Sequence, residues 1–441
     1  MDARKTAIIV TPLVAMAALA TGLRIGASGS MRAAVVYSAP PARGSNVLAW
    51  QVQTILDDRG AREAIAISDL VVTARHGKNA AEWRGASNGD GIAETRLDLP
   101  GVRPGDEVWL DVRSGEASLA KGRAEWGPAW NDIARSTWVR TSPKDGAIQL
   151  DVAPLGGKLA VGFPGSVWVR ATDRATGKPL SGVALEVEPE PGLEVTTPHL
   201  VTCGAGWAEI VATPTFHVVG MSLHAKKDGA DGLWYGGLPV AGGASHVAVP
   251  MRIAPAEGRS IDVIAAGTRG AIYAEVDDGS GRAFAQVLAA PRGTLDLPPL
   301  GEGIHWIVTS NEPRGAESLG GSAVAQPVLV GKITGDACET GALLAQSSAT
   351  GFPRHLALDG LAGRREAIRT KDRLGVTIGL AALAVAAALE TLLVLGSVRR
   401  MNADLPAAFT RRSPVGSVAI GLLAALLGFA LLAALLLYRT T

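Results

Sequence analysis

The sequence predicts a mainly β protein: two to three β-sandwiches outside the cytoplasmic membrane, carried by transmembrane α-helices. Three observations carry that expectation. Two long apolar runs, Leu374–Val398 and Val415–Tyr438, close the chain. A shorter apolar run follows two basic residues near its start. Everything between is Gly-rich and breaks into short alternating runs with no sustained helical period.

Residues 1–30 contain the run Ala7–Leu23 behind Arg4 and Lys5, and Ala18-Leu19-Ala20 has the character of a small-residue cleavage site. The segment is either a cleaved signal peptide or an uncleaved anchor helix, and both send the following residues across the membrane. At the other end, 374–398 and 415–438 each exceed the ~20 residues a helix needs to cross a ~30 Å hydrocarbon core. Glu390 is the only charge in the two runs. The loop 399–414 carries Arg399, Arg400, Arg411 and Arg412 against Asp404, which suits the cytoplasm. The basic residues Arg364, Arg365, Arg369, Lys371 and Arg373 just before the first run pull the other way, and the signal-like start decides for an inner-membrane protein with its large middle region extracytoplasmic.

The middle region divides by its turn residues. In 31–126, Ala33–Tyr37, Val47–Leu56, Leu70–Arg75, Ile92–Leu99 and Glu107–Val112 read as strands, with turns at 58–60 and 88–91, so this segment is expected to be a first sandwich. Residues 127–146 read as a linker. Trp126, Trp130 and Trp138 at this break either form a contact surface or cover the seam between two domains. All ten tryptophans lie between Trp50 and Trp306, which places aromatic core and contact surface in the middle region.

A second block, 147–246, has strands at Val167–Thr172, Val183–Val187, Trp207–Thr213, Val218–Ala225 and Leu233–Tyr235. In it, Gly177 and Gly182 permit the positive φ of tight turns and Pro179 presets its own φ between two strands. Thr202 has a hydroxyl to brace the next turn, and Gly206 lets the chain reverse. The stretch from Asp173 to Val183, followed by Thr202, Gly206 and Ala208, resembles the turn-and-strand signature of bacterial immunoglobulin-like modules, including those akin to macroglobulin and carboxypeptidase-regulatory domains. The resemblance implies immunoglobulin-like sandwiches and says little about function, since such modules host binding, spacing and accessory roles alike. Gly91-Ile92-Ala93-Glu94 in the first block is echoed by Gly206-Trp207-Ala208-Glu209 in the second.

The third block, 247–332, alternates in Ile261–Ala265, Ile272–Val276, Ala283–Ala289 and Ile304–Thr309. Asp277–Gly281 reads as a solvated hairpin turn rather than a calcium loop, because the twelfth position falls on Leu288. In 333–373, Cys338–Ser347 is expected to be a short helix, and Leu356–Arg373 to lead helically into the membrane. Cys203 and Cys338 are too few for a disulfide framework, and are either a single pair formed in an oxidising compartment or two buried thiols.

The net charge of +1 gives no electrostatic footprint for nucleic acid. No HExxH, GxSxG, Walker or strand-following GxGxxG pattern occurs, so neither cofactor nor catalytic residues are expected. The histidines are scattered; His217 and His224, seven apart, would lie on opposite faces of a continuous strand. Glu390 lies well inside the expected hydrocarbon, where a charge is costly, so it is expected to be neutral, to face protein or to serve a partner. Gly375 and Gly379, and Gly421 and Gly428, provide close-approach faces for helix packing.

These readings predict a non-enzymatic envelope protein whose partners are the lipid bilayer and another envelope protein or a glycan, presenting its extracytoplasmic domains for binding or assembly. The alternative is an accessory subunit of a membrane transport or signalling complex that contacts its partners through the C-terminal hairpin and Glu390.

Overall fold

The computed structural model describes residues 30–404 except 59–60, 104, 127–133, 137–139, 142–144, 255–257, 266–269 and 332–335, together with residue 428. In the last helix, the side chains of 363, 365, 367–369, 371–372, 386, 390, 393–394 and 397–404 lie outside that description. The chain divides into two units, one of 32–56 and 62–360, the other of 1–31, 57–61 and 361–441.

The larger unit contains three sandwiches built on one strand order. In the first, seven strands follow in sequence: Met31–Ser38, Val47–Asp58, Leu70–His76, Asn79–Gly85, Ile92–Asp98, Glu107–Ser114 and Ala117–Glu125. The first, second and fifth form one sheet; the fourth, third, sixth and seventh, in that order, form the other. The second sandwich repeats this with Ile148–Pro154, Gly165–Asp173, Ala184–Pro189, His199–Val201, Trp207–Pro214, Val219–Lys227 and Ala230–Leu238. The third does so with Ser245–Val247, Arg259–Ala265, Ala271–Asp277, Arg282–Ala289, Arg292–Leu297, Gly303–Ser310 and Val324–Val330. This is the immunoglobulin-like division of strands between two facing sheets.

Alternation produces each core. Val108, Leu110 and Val112 are fully buried, while Glu107 before them and Trp109 between the first two are exposed. Each such side chain contributes about 1.5–3 kcal/mol on leaving water. The Gly91 and Gly206 echo marks the same structural point in two sandwiches. Each glycine has positive φ and precedes the fifth strand. Each carbonyl accepts a second-strand N–H, from Thr54 at 2.7 Å and from Ala171 at 2.8 Å. A Cβ at either position would meet a second-strand carbonyl, of Thr54 or Ala171. In the third sandwich Pro291 takes this position, its carbonyl accepting from Ala265 N–H at 2.8 Å.

The structure departs from the sequence expectations at several joints. Within 127–146, Ala134–Ser136 pairs with Ala349–Gly351 and Arg140–Thr141 pairs with the second sandwich, so the expected linker carries strands. Trp126 belongs to the core of the first sandwich, neither a seam cover nor a contact surface, because its N–H and C=O pair with Asp106 and Gly105 and carry the ring inward. Trp130 and Trp138 lie outside the described residues. The boundary at 246/247 cuts the first strand of the third sandwich.

The segment 333–373 is not a single juxtamembrane stretch. Its helix Ala337–Gln346 is capped by Asp336, whose carboxylate accepts from Glu339 N–H at 2.7 Å. Gly341 sits on the ring of Trp168, where any Cβ would collide. Cys203 and Cys338 are joined in a disulfide, tying this helix to the second sandwich. Around it Trp168, Trp207 and Leu344 pack with Met251, Ile304 and Leu329 of the third, sealing the seam between the two. Leu356–Asp359, expected to be helical, instead belongs to the strand His355–Asp359, antiparallel to Met31–Ser38, which extends the first sandwich's sheet.

Most described residues of the smaller unit belong to the helix Gly360–Asp404, 45 residues long. Gly375, Gly379 and Leu383 are buried along one line of it, while Leu374, Ile378, Val385, Leu389, Leu392 and Leu395 are 49–67% exposed. Among the described residues no helix is long and apolar enough to cross a membrane. The side chain of Glu390, the run 415–438, Gly421 and the N-terminal 1–29 lie outside the described residues; Gly428 is exposed.

The return of the chain sets the limits of an autonomous fragment. Residues 31–359 should express as a folded β protein, whereas 31–332 lacks the disulfide and the returning strand. Removing a disulfide that closes so long a loop should cost about 2–5 kcal/mol. Urea denaturation followed by circular dichroism should therefore rank 31–359 above its Cys203→Ser variant by that margin, with 31–332 lower still. Equal midpoints would show that the C-terminal return is dispensable.

Candidate functional site at the seam of the first and third sandwiches

Alternation places Glu94 and Gln51 on the outer face of the first sandwich's sheet that contains Met31–Ser38, and Tyr273, Glu275 and Asp277 on one face of the third's Ala271–Asp277 strand. In a lone sandwich these faces would be wet. Here the two meet, and the charges are buried against one another. Arg282 approaches Glu94 Oε2 at 2.7 Å and Glu275 Oε2 at 3.3 Å. Arg354, delivered by the returning segment, pairs with Glu275 and lies 3.9 Å from Glu94 and 3.8 Å from Glu317. The side chains of Arg282 and Arg354 are each 1% exposed. Spare donors reach backbone: Arg282 to Ala49 C=O at 3.1 Å, Arg354 to Pro313 C=O at 3.0 Å. Gln51 donates to both Glu94 and Pro313 C=O.

Burial pulls the Arg354 guanidinium down, with Glu94 opposing. Asp277 is also buried, and desolvation raises it to about 8 against the opposing charge of Arg282, with Asp278 adding to the rise. Its Oδ1 has no hydrogen-bond partner. The Asp277–Gly281 turn, expected to be solvated, is so only at its tip: Gly279 is exposed, whereas Asp277 and Gly281 are buried. The Pro40–Arg43 segment covers it: Arg282 N–H donates to Pro40 C=O at 2.7 Å and Arg43 N–H to Asp278 at 2.7 Å. At the far end of the seam, Tyr273 donates to Asp90 at 2.5 Å and Asn88 to Tyr273 at 2.9 Å. Burial and Asp90 push this phenol well above its ordinary range.

Between these ties lies a groove of about 610 Å³, lined by Trp83, Ile92, Glu94, Arg96, Phe284 and Leu288 among others. The volume falls in the range of ligand sites, and the lining is mostly apolar. Sequence reasoning missed it because its walls belong to strands that are far apart in the chain and share no motif.

The histidines fall differently from the expectation. His217 precedes the Val219–Lys227 strand and lies against Gly242. His199, Glu186 and His224 stand in one cross-strand row on the second sandwich, with His224 3.5 Å from Glu188. Among the described residues no three His, Cys, Asp or Glu side chains converge to hold a metal. The family-like signature performs turn work. Asp173 accepts from Thr176 N–H at 2.7 Å and from its hydroxyl, which holds the carboxyl below its usual range. Thr202 braces the preceding turn, donating to Leu180 C=O at 2.7 Å and accepting from Val183 N–H at 3.0 Å.

No family model and no curated protein matches the sequence. Among solved structures the chain is similar to invasin, a bacterial integrin-binding protein, at 10% identity over 69% of this chain and 60% of that one, with a TM-score of 0.18. It is similar to the Escherichia coli adhesin FdeC at 12% identity, covering 68% and 97%, with a TM-score of 0.18. The match to native Escherichia coli alpha-2-macroglobulin has 10% identity, covers 70% and 23%, and scores 0.18. The chain spans less than two thirds of the invasin and macroglobulin chains. Likeness at these identities bears on fold alone, and at these scores no functional argument rests on it.

Two predictions follow from the buried charges. Arg354→Met leaves Glu275 with a weakened set of partners and should lower the stability of 31–359 by about 3–5 kcal/mol in urea titrations. A loss below ~1 kcal/mol would show the network to be peripheral. Asp277 binds a proton in the folded state at pH values where the unfolded chain has released it. Its stabilisation is complete below the unfolded value near pH 4 and declines as pH rises to about 8. Asp277→Asn should flatten that decline between pH 5 and 8; an unchanged slope would assign it to other groups.

Proposed function

We propose that this chain is a non-enzymatic, membrane-anchored envelope protein whose rigid three-sandwich body is held outside the cytoplasmic membrane to bind another protein or a glycan. The observation that carries the reading is the joining of the sandwiches. One seam is locked by a buried ion network and another by a helix and a disulfide, so the body offers a fixed surface rather than a flexible string. Preorganisation of that kind favours recognition, because little order remains to be imposed on binding. The disulfide supports an oxidising compartment. The anchor reading is supported by the apolar side chains exposed along Gly360–Asp404, which need lipid or protein to cover them, and by the signal-like start.

The alternative, a subunit contacting a membrane partner through its helices, is favoured by the buried line of Gly375, Gly379 and Leu383, which is suited to close helix packing. Two measurements test the proposal. An introduced Asn402→Cys should resist an impermeant thiol reagent added to intact spheroplasts and react after permeabilisation. Immobilised 31–359 should retain a partner, identified by mass spectrometry, that its reduced and denatured form does not. Labelling from outside would overturn the anchor topology, and capture that depends only on the helices would favour the subunit reading.

A further inference from the structure

The strands Ile92–Asp98 and Arg282–Ala289, which line the groove between the first and third sandwiches, approach within 8 Å, Cα to Cα, yet no pairing joins them among the described residues. Further backbone does not fit between them, and what the groove can hold is decided by side chains. Its polar walls are already committed. Ser87 Oγ accepts from Ile67 N–H at 2.8 Å, and Asn88 donates to Tyr273 Oη at 2.9 Å while its side-chain carbonyl accepts from Ile92 N–H at 2.8 Å. Glu94 is held by Gln51 and Arg282. Gln286 donates to Thr294 C=O at 3.4 Å and accepts from Asp296 N–H at 3.0 Å. Arg96 is the exception: it is exposed and, among the described residues, has no acidic partner.

We propose that this groove is a binding site for a small amphipathic carboxylate, a ligand beyond the protein or glycan of the proposed function. Its apolar body lies against Trp83, Phe284, Val287 and Ala289, none of them fully buried, and its carboxylate is taken by the Arg96 guanidinium. The volume of about 610 Å³ suits a molecule of that class, and seams between domains are where such sites recur. Charge decides the sign of the ligand: a guanidinium with its donors unspent matches a carboxylate in a two-point, charge-assisted bond and repels an amine. The committed walls decide its polarity. A sugar would bring in hydroxyls for which they hold few free partners, whereas an apolar body needs none. The Glu94–Arg282 and Asp90–Tyr273 contacts fix the two sandwiches independently of whatever enters, so little order is left to impose on binding.

The test is isothermal titration calorimetry of the full chain in detergent, with detergent alone as the blank, against benzoate, naphthoate and octanoate and against the matching uncharged amides. At least one carboxylate should bind saturably, with its amide weaker by roughly tenfold or more, the scale of one charge-assisted hydrogen bond. Arg96→Gln should impose a like loss, and Arg96→Lys, which keeps the charge but not the two-point geometry, a smaller one. Ala289→Trp, at an exposed lining position, should fill the groove and abolish uptake. Both positions lie outside the buried ion network, and unchanged urea midpoints verify that the variants are folded. The proposal is overturned by an absence of saturable uptake for all three carboxylates, by amides that bind as well as the acids, or by affinity that Arg96→Gln and Ala289→Trp leave unchanged.

Discussion

Glu94, Glu275, Arg282 and Arg354 form a compact lattice of opposite charges from which water is nearly excluded, and the mutual placement of the first and third sandwiches depends on it. Each ion alone would be driven to the surface by desolvation. Together, with the carbonyls of Ala49 and Pro313 each taking one guanidinium donor, they become a contact that tolerates only one arrangement. An apolar seam of the same size would be comparably cohesive and far less particular about register. The lattice therefore contributes specificity more than adhesion, and it draws on three separated parts of the chain.

The second seam is built on a different principle. Trp168 and Trp207 lie edge to face at 6.4 Å, Gly341 brings the Ala337–Gln346 helix directly onto the first of them, and the disulfide holds that helix in place. Apolar packing and a covalent link make it indifferent to pH and salt, while the charged seam with its buried Asp277 responds to pH. One body thus contains two joints of unlike chemistry.

Much of the fold was legible because alternation reports directly on a half-buried strand. Leu70–His76 and Glu107–Ser114 were recognisable for that reason, and the Gly91 and Gly206 echo proved to be the same junction in two sandwiches. Strands escaped notice where burial is slight, as in Asn79–Gly85, which has no fully buried residue and pairs with Leu70–His76. The returning strand was masked by its neighbour: five residues directly before a long helix carry too short a pattern to stand apart from it. The site was hidden for a deeper reason. Local pattern marks Glu94, Glu275 and Asp277 as solvent-facing, correctly for each sandwich taken alone, and only the meeting of two sandwiches reverses that assignment.

The antiparallel pairing of His355–Asp359 with Met31–Ser38 sets Val35 opposite Asp359, so the chain enters and leaves the body at neighbouring points of one sheet. A folded unit whose ends lie side by side can be spliced into a loop of an unrelated host without stretching either partner. The body is in that sense a cassette: transplanted as a whole between two adjacent residues of another scaffold, it would carry both seams and the groove intact, whereas any cut between its sandwiches would sever the lattice or the disulfide.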